Sequence, residues 1–141
     1  MRAVGKEHAE QALREDVIQW LDAAGGCPGQ FKSRLLQTLD RAIEFARLVA
    51  SDPVNEHHCR RAAAGLYNAH TAALMAAEGA VLGASGGDAR RLLIARLVLD
   101  RRLNLADPFT LEGGQFDAQA TSVLLDDAPI SLETAQELLS L

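Results

Sequence analysis

The segment from Ala62 to Ala84 constrains the fold of this chain most, because it reads as a long helix with very little polar surface. Its small residues recur at alternating steps of four and three, so they share one helix face (Gly65, Ala69, Ala72, Ala76, Gly79 and Gly83). A second stripe carries larger groups (Ala63, Tyr67, His70, Leu74, Ala77 and Val81). We expect this helix to lie inside the protein with other helices packed around it.

A membrane span is the alternative interpretation of the same segment, which is long and contains a small-residue pair at Gly79 and Gly83. Asn68, His70 and Glu78 argue against it, because each of these side chains is costly to place in hydrocarbon. The sequence therefore favours a soluble helix and predicts no contact with a membrane.

Composition points to an all-α chain that forms a single domain over residues 1–141. Only 4% of the residues are aromatic, and alanine, leucine and arginine dominate over β-branched residues. The formal net charge of −5 argues against a general nucleic-acid binder. Cys27 and Cys59 form no CxxC motif and no apolar signal segment opens the chain, so we expect reduced thiols and a cytoplasmic location.

Helical periodicity predicts four main helices, at 4–24, 30–50, 53–84 and 89–105, and a tail over 109–141 with short helices. Short links between successive helices are typical of an up-and-down four-helix bundle, in which the long third helix would be buried. In the first helix we expect an apolar face toward the core and Glu10 among the charged residues that face water.

Capping residues predict where three helices start. Asp52 precedes Pro53, which is a favourable first helical residue, so the third helix is expected to begin at Pro53. Asp88 is expected to cap the fourth helix after a glycine link, and Ser131 the last tail helix, 132–139.

A polar site between helices is the candidate ligand-binding feature of the sequence. His70 and Glu78 lie two turns apart on the helix expected to be buried, where an ionisable group needs a partner. Tyr67 and Asn68 would stand near the rim of such a pocket. The alternative is structural: a satisfied core histidine, and a glutamate paired with an arginine of the fourth helix.

No catalytic or metal-binding motif is present in the sequence. His57, His58 and Cys59 are adjacent, so they point in different directions on a helix, and neither they nor His8 complete a ligand spacing. The arginines of the fourth helix are scattered around it, which indicates a salt-bridged surface more than a phosphate site. We therefore expect no metal, no cofactor and no catalytic residue in this chain.

Two stretches resemble the C-terminal helical extension of some bacterial acyl-CoA dehydrogenase-like flavoproteins. They are LYNAHTAALMAAEGA at 66–80 and GDARRLLIARLVLDRRL at 87–103, followed by Asp107-Pro108. This resemblance covers about the last two-thirds of the chain. It implies a non-catalytic helical domain or fragment that packs on a flavoprotein body or joins subunits. FAD, the acyl-CoA substrate and the glutamate base would belong to the larger parent protein, so Glu78 is not assigned as that base.

Three hypotheses for function follow. The first is an accessory helical domain that works by protein packing or subunit association, which predicts an exposed apolar patch. The second is a free-standing bundle that binds a small apolar or acyl ligand around Tyr67, His70 and Glu78. The third is self-association through the small-residue stripe, in which Gly79 would meet its copy in a second chain. The identity of any ligand and the oligomeric state are left open by the sequence.

Overall fold

The computed structural model describes residue 4, residues 9–107, residue 109 and residues 114–141. Within these ranges the chain is helical and contains no strand, as predicted. In chain order the elements are α1 (Ala9–Ala23), α2 (Gly29–Ser51), a 3₁₀ helix (Pro53–His58), α3 (Cys59–Ala84), α4 (Arg90–Val98), a π-helical turn (Leu99–Leu103), α5 (Gly114–Leu124) and α6 (Leu132–Leu139). Most of the predicted first turn of helix one, and the start of the tail, lie outside the described residues. No described helix has both the length and the apolar character needed to cross a membrane.

The predicted start of the third helix is confirmed, but its first turns are not α-helical. The Asp52 carboxylate accepts a hydrogen bond from the Val54 backbone N–H at 2.9 Å, and Pro53 occupies the first position. Pro53–His58 then forms a 3₁₀ helix, and the α-helix begins only at Cys59. None of these 3₁₀ residues is buried, so no core packing favours α geometry over the tighter turn.

The fourth helix also departs from the single α-helix predicted over 89–105. Regular α geometry ends at Val98, and a π-helical turn follows, in which the Asn104 backbone N–H donates to the Leu99 carbonyl at 2.9 Å. Leu99 is fully buried while Arg101 and Arg102 are exposed. The wider turn therefore keeps an apolar anchor in the core and carries the two arginines at the surface.

Helix α3 packs against α1, α2, α4 and α6. Its small-residue stripe is buried as predicted, except that Gly65 is half-buried. The expectation that other helices surround α3 is wrong for the face that carries Tyr67, Val81 and Leu82, which are all exposed. This helix therefore contributes both a core face and an open apolar face.

The glycines of the stripe permit close contact with other segments of the same chain. A Cβ on Gly79 would lie 2.5 Å from the Leu92 backbone nitrogen in α4. A Cβ on Gly83 would lie 2.9 Å from the Ala89 Cβ and 3.1 Å from the Leu132 Cβ. Because the chain's own helices cover this face, the stripe is not open to a second copy, and the self-association hypothesis loses its surface.

The tail helix α6 is joined to the start of α4. The Ser131 hydroxyl accepts from the Thr134 backbone N–H at 3.1 Å, which confirms the predicted cap. Asp88 accepts from the backbone N–H groups of Arg90 at 3.0 Å and Ile130 at 3.1 Å. Partial burial raises the pKa of Asp88, but these hydrogen bonds and the Arg90 guanidinium outweigh burial, so the pKa lies below its usual value. Asp88 thus links the two segments as a carboxylate.

Glu10 corrects the predicted surface of the first helix. Its side chain was expected to face water, but it is buried, and it accepts from Arg47 Nε of α2 at 3.0 Å. A buried carboxylate needs such a partner, which only a neighbouring helix supplies. The period of the sequence could not reveal this pair, because Arg47 is distant in the chain.

Cys27 provides a test of burial in the α1–α2 connection. Burial raises the pKa of its thiol to about 11, although the charge of Lys32 acts in the opposite direction. At pH 8 we expect about a hundredfold slower alkylation by iodoacetamide than for a thiol with the ordinary pKa of 9.0. The rate, followed by peptide mass mapping, should rise with each pH step up to about 11. A plateau near pH 9, as expected of the urea-unfolded control, would contradict the burial of this thiol.

Candidate functional site

An open groove of about 440 Å³ lies between α1 and α3. Its lining is mainly apolar and consists chiefly of Trp20, Leu74, Ala77, Val81 and Leu82, with Glu78 and Arg91 at its edge. Val81 is 53% exposed and Leu82 42% exposed, although both are aliphatic. These two exposed aliphatic side chains are the apolar surface on this face to which the accessory-domain hypothesis can be applied.

The groove follows from the second stripe of α3. Tyr67, Leu74 and Val81 are seven residues apart, and His70 and Ala77 lie between them at the same spacing. A heptad spacing of this kind places the larger side chains in a row along one helix face. Such a row is typical of a seam against which another helix packs. The sequence showed the stripe, but only the packing of α1 beside α3 shows which part of it is covered: Ala77 is buried and His70 half-buried, whereas Val81 is exposed in the groove.

His70 is half-buried and meets Trp20 across the α1–α3 contact. The two rings form an edge contact, with their centroids 5.4 Å apart and their planes inclined at 66°. His70 therefore packs against the aromatic wall of the groove. The interpretation of His70 as a satisfied core histidine stays a prediction.

Glu78 forms an ion pair with Arg91 of α4, which confirms the predicted pairing with an arginine of the fourth helix. The side chains are 43% and 48% exposed, so the pair contributes little to stability. Its position at the edge of the groove places one negative and one positive group beside an apolar floor. These charges are accessible to whatever occupies the groove.

Tyr67 and Asn68 lie apart from that edge. Tyr67 is 69% exposed, whereas the Asn68 amide donates to the Ala64 carbonyl of its own helix at 2.9 Å. Asn68 lines a different cleft, on the side of α3 that faces α2 and the π-helical turn. Of the four residues, Glu78 lines the groove, His70 contacts only its Trp20 wall, and Asn68 lies at the other cleft. Binding of a ligand by the four residues stays a prediction.

The second cleft has a volume of about 500 Å³ and was not found by sequence reasoning. Its lining includes three arginines, two asparagines and a phenylalanine (Arg41, Arg61, Arg102, Asn68, Asn104 and Phe45). The arginines come from α2, α3 and the π-helical turn. No spacing in the sequence indicates that they converge, so the tertiary fold was needed to find this cleft.

His57 and His58 lie next to each other in the 3₁₀ helix. Their rings are in contact, with centroids 3.9 Å apart, and His57 Nδ1 is 2.9 Å from the Val54 carbonyl oxygen. In the part of the chain that the structure describes, no group of three or more histidine, cysteine, aspartate or glutamate residues converges.

Comparison of the chain with protein-family models, with characterised proteins and with solved structures finds no match. The resemblance to the helical extension of acyl-CoA dehydrogenase-like proteins therefore stays a prediction that depends on the motif residues alone. The geometry of the two surface depressions is the basis for the function proposed below.

Proposed function

We propose that this chain is a non-catalytic helical domain that acts by packing or subunit association, and that its α1–α3 groove receives a helix of the partner. The observation that carries this proposal is the apolar seam on α3 formed by Leu74 and Val81, which line the groove, with Val81 53% exposed and the neighbouring Leu82 42% exposed. An amphipathic partner helix would bury this seam and place its own apolar residues against Trp20. The proposed location is the cytoplasm, in keeping with two free cysteines among the described residues.

The proposed parent is an acyl-CoA dehydrogenase-like flavoprotein, as the resemblance implies. In that setting the groove would hold the extension against the flavoprotein body or against a second subunit. FAD and the catalytic glutamate would reside in the body, and this chain would supply contact surface only. The four long helices would form an up-and-down bundle, an arrangement supported by the short connections 24–28 and 85–89.

A small apolar or acyl ligand in the same groove is the second candidate function. The groove volume of about 440 Å³ is within the usual range for small-molecule sites. The Glu78–Arg91 pair at its edge offers a guanidinium to a ligand carboxylate. The open shape favours the helix, because a small ligand would leave much of its surface in water.

Substitution of Val81 by aspartate tests the groove. We expect the wild-type chain to associate with a partner chain in native mass spectrometry. If it does not associate, we expect the exposed apolar groove to bind anilinonaphthalene sulfonate and to enhance the fluorescence of this dye. Val81→Asp should abolish the association or reduce the dye signal several-fold, because it puts a charge on the seam. Leu48→Asp is the matched control, since Leu48 of α2 is 60% exposed and does not line the groove.

Three outcomes separate the candidates. A selective effect of Val81→Asp supports docking of a protein partner in the groove. A purified chain that is strictly monomeric and does not bind the dye would overturn the proposal. A co-purified non-protein mass that disappears in Val81→Asp would favour the small apolar ligand over the helix.

A further inference from the structure

The cleft between α2, α3 and the π-helical turn concentrates positive charge on an otherwise acidic protein. Arg41, Arg61 and Arg102 approach it from three different elements. The formal net charge of the chain is −5, so the positive charge of this cleft is opposite in sign to that of the whole protein. The cleft is distinct from the α1–α3 groove and has no lining residue in common with it.

The pattern of ion pairs singles out the same three residues. Among the described residues, every lysine and arginine forms an ion pair with a carboxylate except Arg41, Arg60, Arg61 and Arg102. Three of these four line the cleft, and no carboxylate from the described ranges of the chain lines it with them. Outside the cleft, Arg60 is the one described arginine without an acidic partner, so the unpaired positive charge of the described residues is concentrated in the cleft.

Two of the three guanidinium groups, those of Arg41 and Arg61, have contacts that leave their positive charge without a counter-ion. Arg41 Nη1 donates to Asn104 Oδ1 at 3.3 Å, and the Asn104 amide donates to the Thr38 hydroxyl at 3.1 Å. The Arg61 guanidinium carbon lies 5.4 Å from the centre of the Phe45 ring. Because each guanidinium has five N–H donors, most of them are uncommitted in these contacts.

The π-helical turn completes the arrangement. It carries Arg102 and Leu103 into the lining and ends at Asn104, which bridges back to α2. Such turns within α-helices are frequent at functional sites, because they redirect side chains that a regular helix would point elsewhere. Here the turn adds a third arginine to a cleft that is also lined by one arginine from α2 and one from α3.

We propose that this cleft binds a phosphorylated small molecule that also has an apolar portion. Three arginines that line one cleft suit the several oxygens of a phosphate, to which planar paired N–H donors bind strongly. Phe45, Leu103 and Leu105 supply apolar surface beside the arginines, and Leu105 is 77% exposed. The volume of about 500 Å³ matches a small-molecule site. The negative net charge of the chain disfavours a nucleic acid as the ligand.

Titration calorimetry with phenyl phosphate tests the assignment, with inorganic phosphate, citrate and a short DNA duplex as competing probes. We expect saturable binding of one phenyl phosphate per chain, tighter than binding of inorganic phosphate or citrate. Arg61→Ala and Arg102→Ala should each weaken it about tenfold or more, because each removes charged hydrogen bonds to the phosphate. Arg60→Ala is the matched control, since Arg60 also lacks an ion pair and lies outside the cleft.

Several results would overturn the proposal. The proposal fails if phenyl phosphate does not bind saturably, or if Arg60→Ala weakens its binding as much as Arg61→Ala and Arg102→Ala do. It also fails if citrate or inorganic phosphate binds as tightly as phenyl phosphate, or if the DNA duplex binds more tightly and depends on the same arginines. Arg102→Lys separates charge from geometry: a loss close to that of Arg102→Ala supports paired N–H recognition. Val81→Asp should leave phosphate binding unchanged, so this inference and the proposed function of the groove stand or fail separately.

Discussion

Replacement of Gly79 by alanine is expected to lower the free energy of unfolding by about 3 kcal/mol. The added Cβ would lie 2.5 Å from the backbone nitrogen of Leu92 and 3.1 Å from the Arg91 Cβ. Two close neighbours of this Cβ are backbone atoms of Arg91 and Leu92, which cannot rotate away as a side chain can. Helices α3 and α4 would therefore have to move apart where they are in close contact. Urea unfolding followed by far-ultraviolet circular dichroism measures the effect.

Gly65→Ala is the control for this substitution on the same helix. A Cβ at Gly65 would meet only the Cβ of Ala42, at an ordinary 3.9 Å. Removal of a glycine from a helix interior then stabilises the protein by about 0.5–1 kcal/mol, because the unfolded chain loses conformational freedom. Opposite signs for the two variants are expected. A neutral or stabilising Gly79→Ala would show that α4 does not pack on α3 as closely as described.

Replacement of Arg96 by alanine is the second large effect, an expected loss of about 3 kcal/mol. Arg96 is only 8% exposed and connects three parts of the fold. Its Nε donates to Asp100 at 2.5 Å, its Nη1 donates to the Leu139 carbonyl of α6 at 3.4 Å, and its guanidinium carbon lies 4.3 Å from the centre of the Phe116 ring in α5. The alanine variant loses these contacts and leaves a cavity between α4 and the tail.

Arg101→Ala is the matched control, because Arg101 is an exposed neighbour in an ion pair with Asp117. We expect a change below about 0.5 kcal/mol for this surface pair. Arg96→Lys should fall between the two, since lysine keeps the charge but loses the planar group that lies over Phe116. Equal unfolding curves for Arg96→Ala and Arg101→Ala would contradict the buried role of Arg96.

Local signals in the sequence were enough for the helices and most of their ends. The apolar period located the helices, and Asp52 and Ser131 marked two starts that the structure confirms through side-chain hydrogen bonds. The buried small-residue stripe of α3 was also predicted, because helical geometry puts such residues on one face whatever lies opposite. Helix caps and helical periodicity depend on residues within about one turn of each other, so both can be read directly from the sequence.

The features that the sequence did not reveal depend on contacts between distant residues. The burial of Glu10 depends on Arg47 of α2, and the π-helical turn depends on keeping Leu99 in the core. Tyr67 and Val81 were identified as a stripe, but their exposure depends on which helix covers which face. The helical class and the approximate positions of the helices thus follow from local backbone and side-chain preferences. The open seam and the cleft lined by three arginines form only when α1, α2 and the turn after α4 pack around α3. This packing is driven by the burial of apolar residues that lie far apart in the chain, so no local stretch of sequence specifies it.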